Sequence, residues 1–556
     1  MPQATLVLRN AHIYTQDRSS PWAEALAIDG DRIVWTGRED EAHEWLSTGT
    51  RQIDLGGRLV LPGLIDSHFH LLRGAKALRG VQLDDALTVS ALQKAVGAYA
   101  NAHPDQLWVS GRGWRYKAFG AGSPIHRTLL DAVVSDRPVY LDAFDVHTGW
   151  ANTRALEMAG ILRGPTQQPS FGGVVMDSDG SATGELRESR AMDLVRTLIP
   201  TPTPSEIDAL LGDALRQAAQ YGLTSLHNMD GDADTVRVLR DFEARGKMTV
   251  RVRVPLTLKA TSTEADIEDW QHMTATARDP QQAAPTLVST GGVKLFADGV
   301  VENKTAWLIE PYADSVSQQS GDKGGPNFQT DHFRRLVTKA DTLKLQVAVH
   351  AIGDMAVRAT LDAYQHARTQ NGPRDARHRI EHIELLNPAD LTRFGRLHVL
   401  ASVQPLHADF GIDTANPWRD LVGPGRWGWG FPWRALKMAD IALALGSDWP
   451  VVSMNPFAGM HAGLTRIKLD FSASRSSFPD QRLTLQELIN GYTVDGAYFE
   501  FAENDKGQLR PGMLADVTVL DQELLALSKH ELPERLCATR SVLTIVGGHV
   551  VHEALG

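Results

Sequence analysis

Cysteine is nearly absent: Cys537 is the only one in 556 residues. No disulfide can form within the chain, which suits a reducing compartment, and any transition-metal site must be made from histidine, carboxylate or modified lysine. A run of about twenty consecutive apolar residues is also missing, so no segment reads as a membrane helix. The opening stretch, MPQATLVLRNAHIY, has no basic segment followed by an apolar core and does not read as a secretory signal. A cytoplasmic protein without membrane contact is the expectation. Net charge is −11, with no long block of either sign. Without clustered Lys and Arg the chain lacks what a phosphate backbone requires, so nucleic acid is not an expected partner. Heptads, internal repeats and low-complexity tracts are absent too. What is present is an ordinary globular composition, 42% hydrophobic and 22% charged, over a length that suits several domains or one large barrel with additions.

Both chain ends alternate as strands do. ATLVLRNAHIYT, ALAIDGDRIVWTG and RQIDLGGRLVLPG stand near the start, GQLRPGMLADVTVLD and RSVLTIVGGHVVHE near the end. DGDR and GG are hairpin-type turns. The two ends predict one composite β-sandwich from residues 1–60 and 506–556. Between them, over 61–505, short apolar runs alternate with stretches of helical spacing, the pattern of βα units. Eight candidate strands follow in order: GLIDSHFH, GLTSLHNM, VRVRVPL, GGVKLFADG, LQVAVHAIGD, RHRIEHIEL, HVLASVQP and IALALGSDWP. The fold class predicted is α/β, a distorted TIM (β/α)8 barrel with its chemistry at the C-terminal ends of the strands. About 150 residues separate the first two strands, far more than one βα connection needs, so about 75–205 is expected to be an α/β insertion.

In LVLPGLIDSHFHLL, His68 and His70 stand two apart. In a strand such residues point to the same side, and imidazoles aimed at one point are most often metal ligands. Two histidines near a strand end also suit an ordinary surface. The other strands bear on the choice. The fourth carries Lys294, the fifth ends at His350, the sixth at His382 and the eighth at Asp448, each among apolar residues where a lone charge is costly. Singly, each has a structural alternative: Lys294 pairing with Asp298, the histidines packing in the core, Asp448 capping a turn. Together, five strands deliver six ligand-type side chains to one barrel face. A cationic lysine among them makes sense once carboxylated by CO2, which turns its amine into an anionic carbamate able to bridge two cations.

LPGLIDSHFHLL, GVKLFADG, VHAIGD, RIEHIELL and LGSDWPV together resemble the amidohydrolase superfamily, in the branch around N-substituted formamide deformylase, which DVHTGWANTRALEMAGI and TGELRE also match. The resemblance implies a binuclear divalent centre, most often two Zn2+. His68, His70 and Asp448 would hold one ion, His350 and His382 the other, and carboxylated Lys294 would bridge them. It further implies hydrolysis of a C–N bond in an N-acyl or N-formyl amide by a metal-bridging hydroxide, with Asp448 as the catalytic proton shuttle. The partner is then a small amide-type molecule, and a homo-oligomer is compatible.

Aromatic residues suggest where a substrate packs: Trp418, Trp427, Trp429 and Trp433 after the seventh strand, and Trp114, Tyr116, Phe144 and Trp150 in the insertion. Packing of the insertion explains them equally well. Trp114, His147, His227 and Arg426 are the candidate substrate contacts, with Asp142 beside them. Two competing functions remain. One is a mononuclear deaminase acting on a ring C–N bond; it needs a Glu shuttle after the fifth strand, where this chain has AIGD. The other is a non-catalytic barrel scaffold, which predicts lost ligands, and all six are present.

Overall fold

The eight apolar runs form eight parallel strands of one sheet, arranged in chain order. They are β1 (Leu64–Phe69), β2 (Leu223–Asn228), β3 (Arg251–Thr257), β4 (Val288–Phe296), β5 (Val347–Ala351), β6 (Arg379–His382), β7 (Leu400–Val403) and β8 (Leu443–Leu445). The structure is a computed structural model that describes residues 4–119, 124–144, 148–168, 173–276, 286–410, 416–469 and 475–555. Every residue of β1, β2, β5, β6, β7 and β8 is buried, as expected of strands covered on both faces. This is the distorted TIM barrel the sequence predicts.

The barrel closes between β8 and β1. A parallel bridge joins Phe69 to Trp449, the His70 amide donates to the Trp449 carbonyl at 3.0 Å, and the Asp448 amide to the His68 carbonyl at 2.6 Å. Gly446 makes this approach possible: a Cβ there would stand 2.4 Å from the His68 backbone nitrogen. The Asp66 carboxylate sits in the same seam and accepts from the amides of His68 at 3.1 Å and Ser447 at 3.0 Å. Sterics and hydrogen bonding therefore lock the segment after β8 onto His68 and His70 at the end of β1.

The chain divides into two compact units, Met1–Leu71 with Leu215–Gly556, and Leu72–Ala214. In the first, strand Leu59–Pro62 pairs in parallel with His12–Tyr14 and antiparallel with Val517–Leu520, so the two chain ends share one six-stranded sheet. A second sheet of four strands comes from the N-terminal segment. Leu8, Ile13 and Val60 pack with Val517, Val519 and Ile545 in a single apolar core, which makes the two sheets a composite sandwich. The second unit carries its own six-stranded mixed sheet and apolar cores. Among the described residues, no helix is long and apolar enough to cross a membrane.

Gly446→Ala tests the seam. The added methyl meets backbone rather than a flexible tip, so a loss of roughly 1–3 kcal/mol is expected. Thermal unfolding should show a lower midpoint, accompanied by poorer metal retention; an unchanged midpoint would contradict the seam's role.

Candidate metal centre

His68, on β1, and His70, the residue just past its end, have ring centroids 5.5 Å apart. Both face the Asp448 carboxylate, at 3.5 Å from His68 Nε2 and 2.9 Å from His70 Nε2. Asp448 reaches this position through a left-handed backbone, φ +62°. His382, at the end of β6, is also left-handed at +75°. Non-glycine residues pay for such conformations, which persist where the surroundings over-determine them and cluster at functional sites. One donor atom from each of His68, His382 and Asp448 falls within a sphere of mutual separations under 4.8 Å. The His382 ring centroid is 4.7 Å from that of His68 and 4.5 Å from that of His350.

Lys294 joins the group through register. Phe296 of β4 pairs with His350 of β5, and Lys294 lies two residues earlier on the same strand. Its amine is fully buried and makes no hydrogen bond among the described residues. Burial drives its pKa down to about 8. Burial, followed by the Lys294 charge, pushes His350 down to about 4. His68 and His382 are held well below the usual imidazole range, again chiefly by burial. Asp448 lies well below the ordinary carboxylate range: against its burial, the imidazoles of His68, His70 and His407 gathered around it favour the ionised carboxylate. His70 is the exception among the ligand histidines: against its burial, Asp230 and Asp448 raise it above the usual imidazole value, so a metal, which requires neutral imidazoles and an ionised carboxylate, would displace a proton there.

Behind these ligands runs a buried chain of charges that the sequence analysis did not single out. His68 Nδ1 donates to Glu381 Oε2 at 2.6 Å. This fixes the tautomer and leaves Nε2 free on the Asp448 side. Arg379 clamps Glu381 with Nε to Oε1 at 2.5 Å and Nη2 to Oε2 at 3.0 Å, and also donates to the Ser67 carbonyl and Ser402. Asp298 accepts from the amides of Ile352, Gly353 and Trp307, so it holds the loop after β5 rather than pairing with Lys294. His350 Nε2 lies 3.1 Å from the Gly299 carbonyl. His407, just after β7, stacks on His382 with its ring tilted by 8° and stands 3.4 Å from both Asp448 and Glu384.

Three of the four expected substrate contacts are engaged elsewhere. Trp114 is fully buried in the core of the inserted unit, packed against Phe119 and Trp150, with its indole N–H donated to the Leu141 carbonyl. Its ring is spent on packing. Asp142 is held by Arg196 and Tyr140. Arg426 donates to the carbonyls of Val422, Glu310 and Pro311, which makes it a staple between loops. His227 is buried on β2, accepts from Arg379 at 3.0 Å and faces Glu500 at 3.3 Å, so it extends the charge chain away from the ligand cluster. His147 lies outside the described residues.

The six ligand-type residues thus share one barrel mouth, on strands in the expected order. The family model for the amidohydrolase family matches residues 51–552. The chain belongs to the amidohydrolase family. This amidohydrolase is 30% identical over 527 residues to the protein LONG AFTER FAR-RED 3 of Arabidopsis thaliana, a match covering 93% of this chain and 87% of that protein. It is 25% identical to the N-substituted formamide deformylase of Arthrobacter pascens, covering 99% of each. An uncharacterized metal-dependent hydrolase from Pyrococcus horikoshii has the same fold, with a TM-score of 0.74, 24% identity and coverage of 94% of this chain and 98% of that one. The amidohydrolase is therefore an enzyme, a hydrolase. Its donor set suits that chemistry: buried imidazoles, three of them held in the neutral direction, a carboxylate held ionised, and an amine with no hydrogen bond among the described residues.

Glu381→Gln keeps a group that His68 can donate to but removes the charge that Arg379 clamps. Metal affinity should fall by about 10–100-fold, as when other supports behind a ligand are removed. Chelator competition measures it; unchanged affinity would reduce Glu381 to core packing.

Proposed function

We propose that this amidohydrolase hydrolyses a C–N bond in an N-formyl or N-acyl amide at a binuclear centre, with Lys294 carboxylated. The observation that supports this reading most is Lys294. A buried ammonium with no hydrogen bond among the described residues, supported only by the Phe296 ring at 4.7 Å, is costly among ligand histidines. Carboxylation removes the cost. Neutral Nζ attacks CO2, an N–C bond forms, a proton leaves to solvent, and the product is an anion with two oxygens. The lowered pKa supplies the neutral amine that this step needs. In the assignment we favour, His68, His70 and Asp448 would hold one divalent ion, zinc by family habit, and His350 and His382 the other.

Bound there, the ions would polarise the substrate carbonyl and lower the pKa of water toward about 7. The protein's own residues do the rest. Ionised Asp448 accepts the proton that the attacking water gives up as the new C–O bond forms. It returns that proton to the nitrogen as the C–N bond breaks, so the amine leaves neutral. Glu381 and Arg379 keep His68 in one tautomer throughout. The formamide deformylase relative supports an N-substituted formamide as the first substrate to try. A deaminase plan is less favoured: the acidic residue after β5 is Asp354, whose carboxylate is bound to the Ile309 amide.

A panel of N-formyl, N-acyl and cyclic amides tests the substrate class; turnover of the formyl and acyl members is expected, and turnover confined to ring deamination substrates would refute it. Lys294→Ala should lose both activity and bound metal, with partial return on adding formate or acetate, and full activity in that variant would remove the bridge. Asp448→Asn should lose about 10²–10⁴ in turnover and proportionally less of its metal; equal losses would leave Asp448 a ligand only.

A further inference from the structure

Arg466 has no part in the centre described above, and its surroundings are unusual. It ends the helix Pro456–Thr465 in a left-handed conformation, φ +56°. Its backbone is satisfied: the carbonyl accepts from the Ser477 amide at 2.8 Å and the amide donates to Ala462 at 3.0 Å. Its side chain is 1% exposed and turned into a box of aromatic rings. The guanidinium carbon lies 3.8 Å from the Trp433 ring centroid, 5.1 Å from Phe478 and 5.8 Å from Phe431. Trp418 packs on the same two phenylalanines, 5.0 Å from Phe431 and 5.8 Å from Phe478.

The ring faces attract the guanidinium through its flat side. Its N–H groups lie in the perpendicular sense, in its own plane, and ring faces do not accept them there. Among the described residues, Nε, Nη1 and Nη2 of Arg466 have no hydrogen-bond acceptor, nor do the buried indole nitrogens of Trp418 and Trp433. Every one of these groups is a donor. The charge acting on Arg466 is that of Arg482, of the same sign, which adds to the burial that already lowers its pKa. A buried cation with a like charge for company and, among the described residues, no acceptor for its N–H groups carries a cost that ring faces offset only in part. A carboxylate of the chain would remove it, and none of the described residues supplies one.

We propose that this donor box is an anion site, which takes a small monoanion, either a halide or the carboxylate of an organic acid, in the plane of the Arg466 guanidinium. The site ties together three connections on the catalytic side of the barrel. Trp418, Phe431 and Trp433 follow β7, Arg466 and Phe478 follow β8, and the Phe431 amide donates to the carbonyl of Glu384, two residues past His382, at 2.8 Å. An anion bound there stabilises the folded form by mass action and fixes the loops that carry His407 and Asp448. The proposal stands apart from the amide-hydrolase reading, because its main readout needs no turnover.

The test is thermal unfolding of the full chain in chloride, formate or acetate against gluconate, a bulky monoanion, at equal ionic strength. A saturable rise in midpoint of about 1–3 °C is expected with the small anions. Trp433→Phe keeps a ring but removes one donor, and should raise the half-saturating concentration roughly tenfold. Arg466→Met should abolish the response; should that variant fail to fold, Trp418→Phe joins Trp433→Phe in carrying the test. Crystals soaked in bromide should show an anomalous peak beside the guanidinium. Amides with and without a carboxylate separate the two sources. Chloride raising KM only for the carboxylate-bearing ones makes the anion the substrate's own, and no change in KM makes it a free ion. Equal midpoints in chloride and gluconate with no bromide peak, or an unaltered response in a folded Arg466→Met, would overturn the proposal and leave the ring faces as the cation's only support.

Discussion

The salt bridge between Arg379 and Glu381 inside the barrel is the interaction on which the rest depends. Both side chains are essentially without solvent contact, and neither could be ionised there alone. Together they form a two-pronged pair whose Oε2 also accepts from His68. The pair converts a hydrophobic strand into a platform for a ligand. It also connects β6 to β1 across the barrel axis, since Arg379 donates to the Ser67 carbonyl as well. The ligand cluster is positioned by electrostatics that the apolar barrel makes strong and unforgiving.

Backbone devices complete the pre-organisation. Two cluster residues, His382 and Asp448, hold left-handed conformations. Two buried carboxylates, Asp66 and Asp298, are given over to backbone amides at the ends of β8 and β5. Burial pushes both of these acids up to about 7, a cost borne by the strand ends for a fixed loop geometry. A site built in this way, on strand ends with locked neighbours, holds its side chains more precisely than one built on free loops.

Much of this was legible in the sequence, for identifiable reasons. The barrel strands are short apolar runs alternating with stretches of helical spacing, and the ligand histidines sit where those runs end. The two-residue spacing of His68 and His70 carries its own geometry. The Arg379–Glu381 pair had the same spacing in RHRIEHIEL, and a charge pair alternating through an apolar strand was the available signal. His407 offered no such signal, because it lies in a short 3-10 turn with no period to read. Trp114 and Arg426 show the reverse failure. Composition says that an aromatic or a cation is present, but not which way it faces. In the fold one fills a core and the other ties carbonyls together.

The central claim is that six side chains from five strands form one cage for two divalent ions. Elemental analysis of the purified, dialysed protein, with zinc, iron, manganese, cobalt and nickel counted together, tests it most directly. The account predicts close to two equivalents per chain, with hydrolysis lost on chelation and restored on adding metal back. Protein that carries no metal and hydrolyses its substrate undiminished in the presence of chelator would contradict it.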